Sequence, residues 1–422
     1  MIFDHLDSSL VVLVKRVGRI SSSLGVKAYL IGGCVRDLIL NRPVIDLDFA
    51  VENNAFAVAQ KFAKQLNGVM VAYHQFLTAT VTLPDGRKID FSSLRQEEYP
   101  SPGALPDVRK GSLSVDLYRR DFSVNAMAVS VNSQEFGNIF DSFGGVNDIE
   151  RKKIRVLHDK SFIDDPTRML RAVRFEQRLG FKLEFHTEKL LRKALKDNAL
   201  DSVKSQRLFE EFKKNLNEPL ALRNLMRLSK LGLLKKTRWG INITARQSTA
   251  LRQLDRIFLR ISSLERIEEI SRWLIRLMIL LEGASKVRSE ELMGVWALPS
   301  ADRAKVLSVK ELVPIFRSKS LKLYGQKEMF HLLRTRSDEE LLYFWANPIC
   351  QQVRPLVIKA LTKWRTVALK ISGDDLMHEG IPAGKIYKQL LDDVLYRVAM
   401  GDCQKKDEQL AYVRKLYSMS GQ

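Results

Sequence analysis

The stretch Ala28-Tyr29-Leu30-Ile31-Gly32-Gly33-Cys34-Val35-Arg36-Asp37, followed shortly by Ile45-Asp46-Leu47-Asp48-Phe49-Ala50-Val51, decides how the N-terminal part of this chain folds. Ala28–Ile31 reads as a strand that ends at a glycine pair, a helix follows from Cys34 to Leu40, and Leu47–Val51 reads as a second strand. Alternate residues of a strand share a face. Asp46 and Asp48 therefore stand side by side, while Leu47 and Phe49 point into the core. Adjacent carboxylates repel unless a cation lies between them, and hard oxygen ligands suit magnesium, Mg²⁺. Gly32 and Gly33 let the backbone approach a phosphate, the helix start offers free N–H groups, and Arg36 adds a positive charge. An aspartate pair alone is a weak sign. Strand, glycine pair, helix, strand and aspartate pair in that order are far more specific.

Outward from this stretch, Ala55–Leu66 has helical spacing, and Val69–Tyr73, Thr78–Leu83 and Lys88–Phe91 read as strands, the last two joined by the turn Pro84-Asp85-Gly86. From Ser92 to about Leu117 the chain holds Pro100, Pro102, Gly103, Pro106 and Gly111, which predicts no regular structure there. After about residue 160 apolar residues recur at helical spacing. The expected helices are Pro166–Leu179, Thr187–Lys196, Ser205–Leu216, Leu220–Leu231, Ala245–Ile261, Leu264–Leu281, Asp338–Trp345, Val353–Leu369 and Ala383–Ala399. The fold class is α+β, an α+β head on a long all-α body. The expected domains are a head over 1–150, a helical neck over 151–235, and a helical body and tail over 236–422.

The 422 residues are 45% hydrophobic, enough for more than one core. The net charge is +20, which points to a polyanionic partner; nucleic acid and anionic membrane both fit. Residues 1–150 carry 15 basic and 17 acidic side chains, net −2, and the remainder is net +22. The acids for metal chemistry would then lie in the head and the polyanion grip in the rest. Asp4 and Asp7 ahead of the short run Leu10–Val14 make a poor signal peptide, and Arg276 interrupts Trp273–Leu281, so no membrane span is expected. Cys34, Cys350 and Cys403 are far apart, which suits a reducing compartment. A soluble, cytoplasmic protein without an obligate protein partner is expected. Trp239, Trp273, Trp296, Trp345 and Trp364 sit at helical spacing and read as core rather than base-stacking residues.

Leu30-Ile31-Gly32-Gly33-Cys34-Val35-Arg36-Asp37 with Asp46-Leu47-Asp48 resembles the head of the class II tRNA nucleotidyltransferases and bacterial poly(A) polymerases. Further stretches resemble that family's motifs in its own order. They are Arg119-Arg120-Asp121-Phe122-Ser123-Val124-Asn125-Ala126, with Ser123 for the usual Thr; Asp141-Ser142-Phe143-Gly144-Gly145; and Asp164-Asp165-Pro166-Thr167-Arg168-Met169-Leu170-Arg171-Ala172-Val173-Arg174-Phe175, with Asp164 for the usual Glu. The specific similarity spans about 25–235. Gly373-Asp374-Asp375-Leu376 is a weak echo near the end.

The resemblance implies a pol β-like nucleotidyltransferase head. It implies Asp46 and Asp48 as catalytic metal ligands, and Gly32, Gly33 and Arg36 as holders of the triphosphate. Arg119, Arg120 and Asp121 fall in the motif that contacts nucleotide and sugar. Asp90, in Lys88-Ile89-Asp90-Phe91, is either a third catalytic carboxylate or a cap for the following loop. Asn125, at i+4 from Asp121 on an expected helix, either contacts ligand or makes a local hydrogen bond. Asp165 and Arg168, three apart on an expected helix, can meet one base. The carboxylate accepts from the exocyclic amine of adenine or cytosine and faces a carbonyl in guanine or uracil, and the arginine donates to a ring acceptor. Arg171 and Arg174 continue toward the phosphates.

Glu98-Tyr99-Pro100-Ser101-Pro102-Gly103-Ala104-Leu105-Pro106 looks like the loop of the A-adding members. The expected function is template-independent transfer of AMP from ATP, with CTP as the second candidate, to the 3′ end of a tRNA held by its acceptor arm. The alternatives are full CCA addition, CC addition and poly(A) synthesis. Lys and Arg along the body helices, such as Lys213, Lys214, Lys235, Lys236, Arg252, Arg256, Arg260 and Arg354, would supply phosphate contacts. A non-catalytic RNA-binding protein, or a related transferase acting on a small amino sugar, are the rival classes.

Overall fold

The computed structural model describes residues 2–261, 269–317 and 325–420. They form two compact units, Met1–Gly240 and Ile241–Gln422. The expected head and neck both fall within the first.

The first unit opens with helix α1 (Ser8–Ser23), whose start is capped by Asp7 Oδ1 accepting from the Ser9 N–H at 2.8 Å. The apolar run Leu10–Val14 is thus part of an amphipathic helix of 16 residues. Strand β1 (Ala28–Ile31), helix α2 (Gly33–Ile39), β2 (Leu47–Val51), α3 (Ala55–Gln65), β3 (Val69–Tyr73), β4 (Thr78–Thr82) and β5 (Lys88–Ser93) follow the sequence expectation within two residues. With β8 (Ala128–Ser130) and β9 (Ile139–Phe140) the strands form one sheet in the order β3-β4-β5-β2-β1-β8-β9. Strand β2 runs parallel to β5 with Asp48 opposite Asp90, and antiparallel to β1 with Phe49 opposite Leu30. On one face Phe49, Val81, Ile89 and Phe91 are buried beneath α3, where Phe62 meets Phe91 at 5.5 Å between ring centroids. The alternation of strand side chains then turns Asp48 and Asp90 to the opposite face.

The segment expected to lack regular structure contains a hairpin and a helix. Strands β6 (Arg95–Glu98) and β7 (Asp107–Lys110) pair antiparallel, and α4 (Leu113–Tyr118) follows. The hairpin is hidden in the sequence because Arg95-Gln96-Glu97-Glu98 shows no apolar alternation. The three prolines fall in the connection between its strands, where they cost no ladder hydrogen bond.

Apart from a short parallel strand pair, Lys153–Ile154 with Lys182–Leu183, the rest of the unit is mainly helical: α5 (Gly145–Glu150), α6 (Ser161–Asp164), α7 (Arg168–Leu179), α8 (Phe185–Lys196), α9 (Ser205–Asn217) and α10 (Ala221–Lys230). Helix α7 begins two residues later than expected, at Arg168. Asp165 precedes Pro166, and a residue before proline is pushed out of the helical region; Asp165 is extended, with φ −133°.

The second unit is all helix among its described residues, including Ala245–Arg260, Arg272–Leu280, Lys286–Val295, Ser300–Arg317, Gln326–Arg334, Asp338–Ala346, Arg354–Thr362, Lys385–Met400 and Lys406–Ser420. The helix expected over 264–281 begins at Arg272, and residues 262–268 lie outside the described residues. The one expected over 353–369 stops at Thr362 and gives way to a tight turn at Trp364–Thr366, where Trp364 buries its ring against Phe330. Trp239, Trp273, Trp296 and Trp364 are buried core residues and Trp345 is partly buried. No described helix is long and apolar enough to cross a membrane.

Candidate active site

The turn from β1 into α2 places the site. Gly32 there has φ +74°, a conformation that disfavours any side chain, and a Cβ on it would lie 2.9 Å from Arg120 Nη1. Beyond the turn opens a cavity of about 460 Å³. It is lined by Gly32, Gly33, Arg36, Asp46, Asp48, Arg119, Arg120, Asp121, Asn125, Asp165, Arg168, Arg171 and Arg174. These are all the residues expected at the site except Asp90, which stands beside Asp48 on the next strand.

Asp48 and Asp90 stand side by side on neighbouring strands. Burial pushes the Asp48 carboxyl up to about 6, and the charges of Asp90 and Asp46 push the same way while Arg120 pulls it down. A carboxylate raised in this way by burial and by its neighbours' charge is relieved by a cation beside it. An all-oxygen set suits a hard divalent ion, so the donor chemistry of Asp46, Asp48 and Asp90 fits one. Among the described residues no three His, Cys, Asp or Glu side chains already close on a single metal position. The Asp90 carboxylate accepts from Thr80 Oγ1 on the neighbouring strand at 2.6 Å. Cys34, beside Asp48, donates its thiol to the Ile31 carbonyl, and burial pushes it up to about 12, out of nucleophilic range.

The arginines are already oriented by carboxylates. Arg36 pairs through Nε and Nη2 with its neighbour Asp37 at 2.9 and 2.8 Å and donates to Asn125 Oδ1 at 2.6 Å. Asn125 in turn donates to Asp121 Oδ1 at 3.0 Å. Asn125 therefore makes a local bond and also lines the cavity. Asp121 and Asn125 share no helix, because Phe122 is extended, bridged to Val156, and only a short turn follows. Asp121 also accepts from Arg171 at 2.5 and 3.0 Å; burial pushes its carboxyl up, but Arg171 and the Asn125 bond outweigh this and bring it down to about 2. Arg171 and Arg174 reach Glu211 of α9 as well.

Several residues here gave no signal in the sequence. Asp116, fully buried on α4, accepts from both Arg119 and Arg120 and fixes the pair. Glu97, from the unexpected hairpin, bonds Arg119 at 2.6 Å, and Tyr99 donates to Glu97 at 3.2 Å; both line the cavity. Phe175 lies 4.8 to 5.6 Å from the guanidinium carbons of Arg36, Arg171 and Arg174, an arrangement that orders three cations around one ring. Arg178, one turn beyond Arg174 on the same helix, also lines the cavity; the four-residue spacing could have revealed it.

Asp165, just ahead of α7, and Arg168, its first residue, both line the cavity. Asp165 Oδ1 accepts from the N–H and hydroxyl of Thr167, and Oδ2 pairs with Arg207 of α9 at 3.0 Å. Arg207 also donates to the carbonyls of Gly103 and Ala104, in the β6–β7 connection, at 2.9 and 3.2 Å. Arg168 is 4% exposed and donates to Ser161 Oγ and the Arg119 carbonyl at 2.8 and 2.6 Å. It keeps three of its five N–H donors for other partners.

Residues 28–155 match the family model described as the poly A polymerase head domain, and residues 180–237 the one described as a probable RNA- and SrmB-binding site of polymerase A. A solved structure of a CCA-adding enzyme superimposes with a TM-score of 0.78 at 31% identity, covering 98% of this chain and 97% of that one. The chain belongs to the tRNA nucleotidyltransferase and poly(A) polymerase family. An A-adding tRNA nucleotidyltransferase of Geobacter sulfurreducens is 33% identical over 98% of this chain and 48% of its own length, and one of Aquifex aeolicus is 34% identical over 86% and 44%. The chain thus spans about half the length of these two relatives. A Thermotoga maritima CCA-adding enzyme complexed with tRNA matches with a TM-score of 0.73 at 28% identity, covering 99% of this chain and 97% of that one. Nucleotidyltransferases of this family generally use a divalent metal.

Proposed function

We propose that this chain transfers AMP from ATP, with Mg²⁺, to the 3′ end of a tRNA that already ends in CC. One observation carries the reading: a single cavity joins the aspartate pair, the glycine turn, seven arginines and the Asp165–Arg168 pair. The names of the Geobacter and Aquifex relatives agree with it.

Arg36, Arg120, Arg171 and Arg174 hold the triphosphate in the cavity, with Asp46 and Asp48 at its α-phosphate. When bound by Asp46 and Asp48, with Asp90 the third candidate ligand, Mg²⁺ supplies charge that neutralises the triphosphate and the carboxylates. The 3′ oxygen of the acceptor bonds to the α-phosphorus, the bond to the pyrophosphate breaks, and the hydroxyl proton passes to Asp90. Asp165 accepts from the adenine amine with the acceptor capacity it keeps beside Thr167 and Arg207. Arg168 donates to the adjacent ring nitrogen. A base that shows a carbonyl in place of the amine leaves a buried acceptor facing an acceptor and is rejected.

Full CCA addition is the second reading, favoured by the match to CCA-adding enzymes over nearly the whole chain. The reading is tested by labelled AMP transfer onto such a tRNA with and without Mg²⁺. Transfer is expected only with the metal. Asp48→Asn should lower it at least a thousandfold while tRNA binding stays within about twofold. Transfer by this variant at the wild-type rate would contradict the metal assignment.

A further inference from the structure

We propose that the open face of β3, β4 and β5 is the platform that receives the unpaired 3′ terminus of the acceptor RNA, with Tyr73 as its stacking residue; this rests on the functional reading above. The pairing registers continue the catalytic row across the sheet: Asp48 lies opposite Asp90, Asp90 opposite Thr80, and Thr80 opposite Val71. The next row on that face is Ser92, Thr78 and Tyr73, and the one on the other side is Lys88, Thr82 and Val69. Val69, Val71 and Tyr73 are 68%, 48% and 50% exposed, while Ala79, Val81, Ile89 and Phe91 on the reverse face are buried. An exposed sheet edge usually carries charge that keeps other surfaces off. This one carries two valines and a tyrosine, next to a row of threonine hydroxyls and a lysine.

The occupant follows from the chemistry of the adjoining row. In phosphoryl transfer the attacking and leaving oxygens are roughly in line across the phosphorus. The arginine cavity that holds the triphosphate lies on the β1 side of Asp48. The attacking hydroxyl therefore arrives from the β5 side, over Asp90. Its own nucleotide and the one before it then extend across β4 to β3, a reach of about 10 Å over two strand spacings. Hydroxyl side chains suit ribose 2′-OH groups, and an exposed aromatic ring suits an unpaired base. Thr80, whose hydroxyl donates to Asp90 at 2.6 Å, acts as a positioning residue that orients that carboxylate toward the incoming hydroxyl.

The test uses the full chain with MgATP and a tRNA ending in CC, with pyrrolo-cytidine in place of the first of these two cytidines, the one that reaches β3, as a stacking probe. Tyr73→Ala should raise KM for tRNA roughly tenfold, leave KM for ATP within about twofold, and abolish most of the probe's quenching on binding. Tyr73→Phe should keep both, since stacking needs the ring and not the hydroxyl. Unchanged tRNA KM and unchanged quenching in Tyr73→Ala would overturn the platform while leaving the functional reading in place. Wild-type protein that transfers to no RNA would overturn that reading instead, and the platform with it. A concentration-dependent dimer that Tyr73→Ala dissolves, with RNA parameters untouched, would give this edge to a second copy of the chain and also overturn the proposal.

Discussion

Asp121 is the buried hinge of the arginine network, since it holds Arg171 and Asn125, and through Asn125 reaches Arg36. Its carboxyl lies near 2 in the folded protein, below the ordinary value of 3.8. A depressed carboxyl contributes stability that is present above the unfolded value and lost as pH falls through the folded one. Asp121→Asn should therefore cost roughly 2–3 kcal/mol of unfolding free energy above about pH 4, and that gap should close toward pH 2. Denaturant unfolding of both proteins across this range checks it. Asp46 and Asp48 both line the cavity, as their alternate spacing in the sequence implied, although β2 begins only at Leu47 and Asp46 lies just before it. Asp116 and Glu97 gave no such sign. Each acts on an arginine fixed by tertiary folding, and a lone acid in a polar stretch looks the same in sequence whether it is solvated or buried.

The hairpin β6–β7 is tied to Asp165 through Arg207. Its connection is docked by Arg207, which also holds Asp165, and Gly103 packs so closely that a Cβ there would lie 2.5 Å from Ser202 Oγ. Arg207→Ala should free both Asp165 and the connection. The preference for ATP over CTP should fall about tenfold, the value of one charge-assisted hydrogen bond, while folding is retained because Arg207 is partly exposed. Competition between labelled ATP and CTP measures it, and an unchanged preference would separate Arg207 from base selection. The strands β1 to β5 were readable from apolar alternation. The hairpin was hidden because its outward side chains are charged on both faces, and Arg207 because 42 residues separate it from Asp165 in a chain whose local patterns report only near neighbours.

At the scale of the whole molecule, charge is the feature most directly visible in sequence. The excess of basic residues lies after residue 150, and Arg252, Arg256 and Arg260 stand exposed at four-residue spacing along Ala245–Arg260. If that excess grips RNA phosphates, log K for tRNA should fall with log salt with a slope on the order of −5, and replacing these three arginines by alanine should shrink it by about 2. Filter binding from low to moderate salt measures both. An unchanged slope would assign the stripe to solvent. The extent of the helical body was legible, while Lys286–Val295, Ser300–Arg317, Gln326–Arg334 and Lys406–Ser420 were not foreseen because their apolar faces are narrow or interrupted by charge.

The central claim is that one adenosine is added to a tRNA ending in CC. Its most direct test offers the purified chain, with Mg²⁺, three tRNAs that end before the first C, after CC and after CCA, each with ATP or CTP alone and with both. One AMP on the CC-ended tRNA from ATP is expected, and no CMP on any of them. CMP incorporation on the tRNA lacking all three bases, or a ladder of adenosines on any terminus, would contradict it.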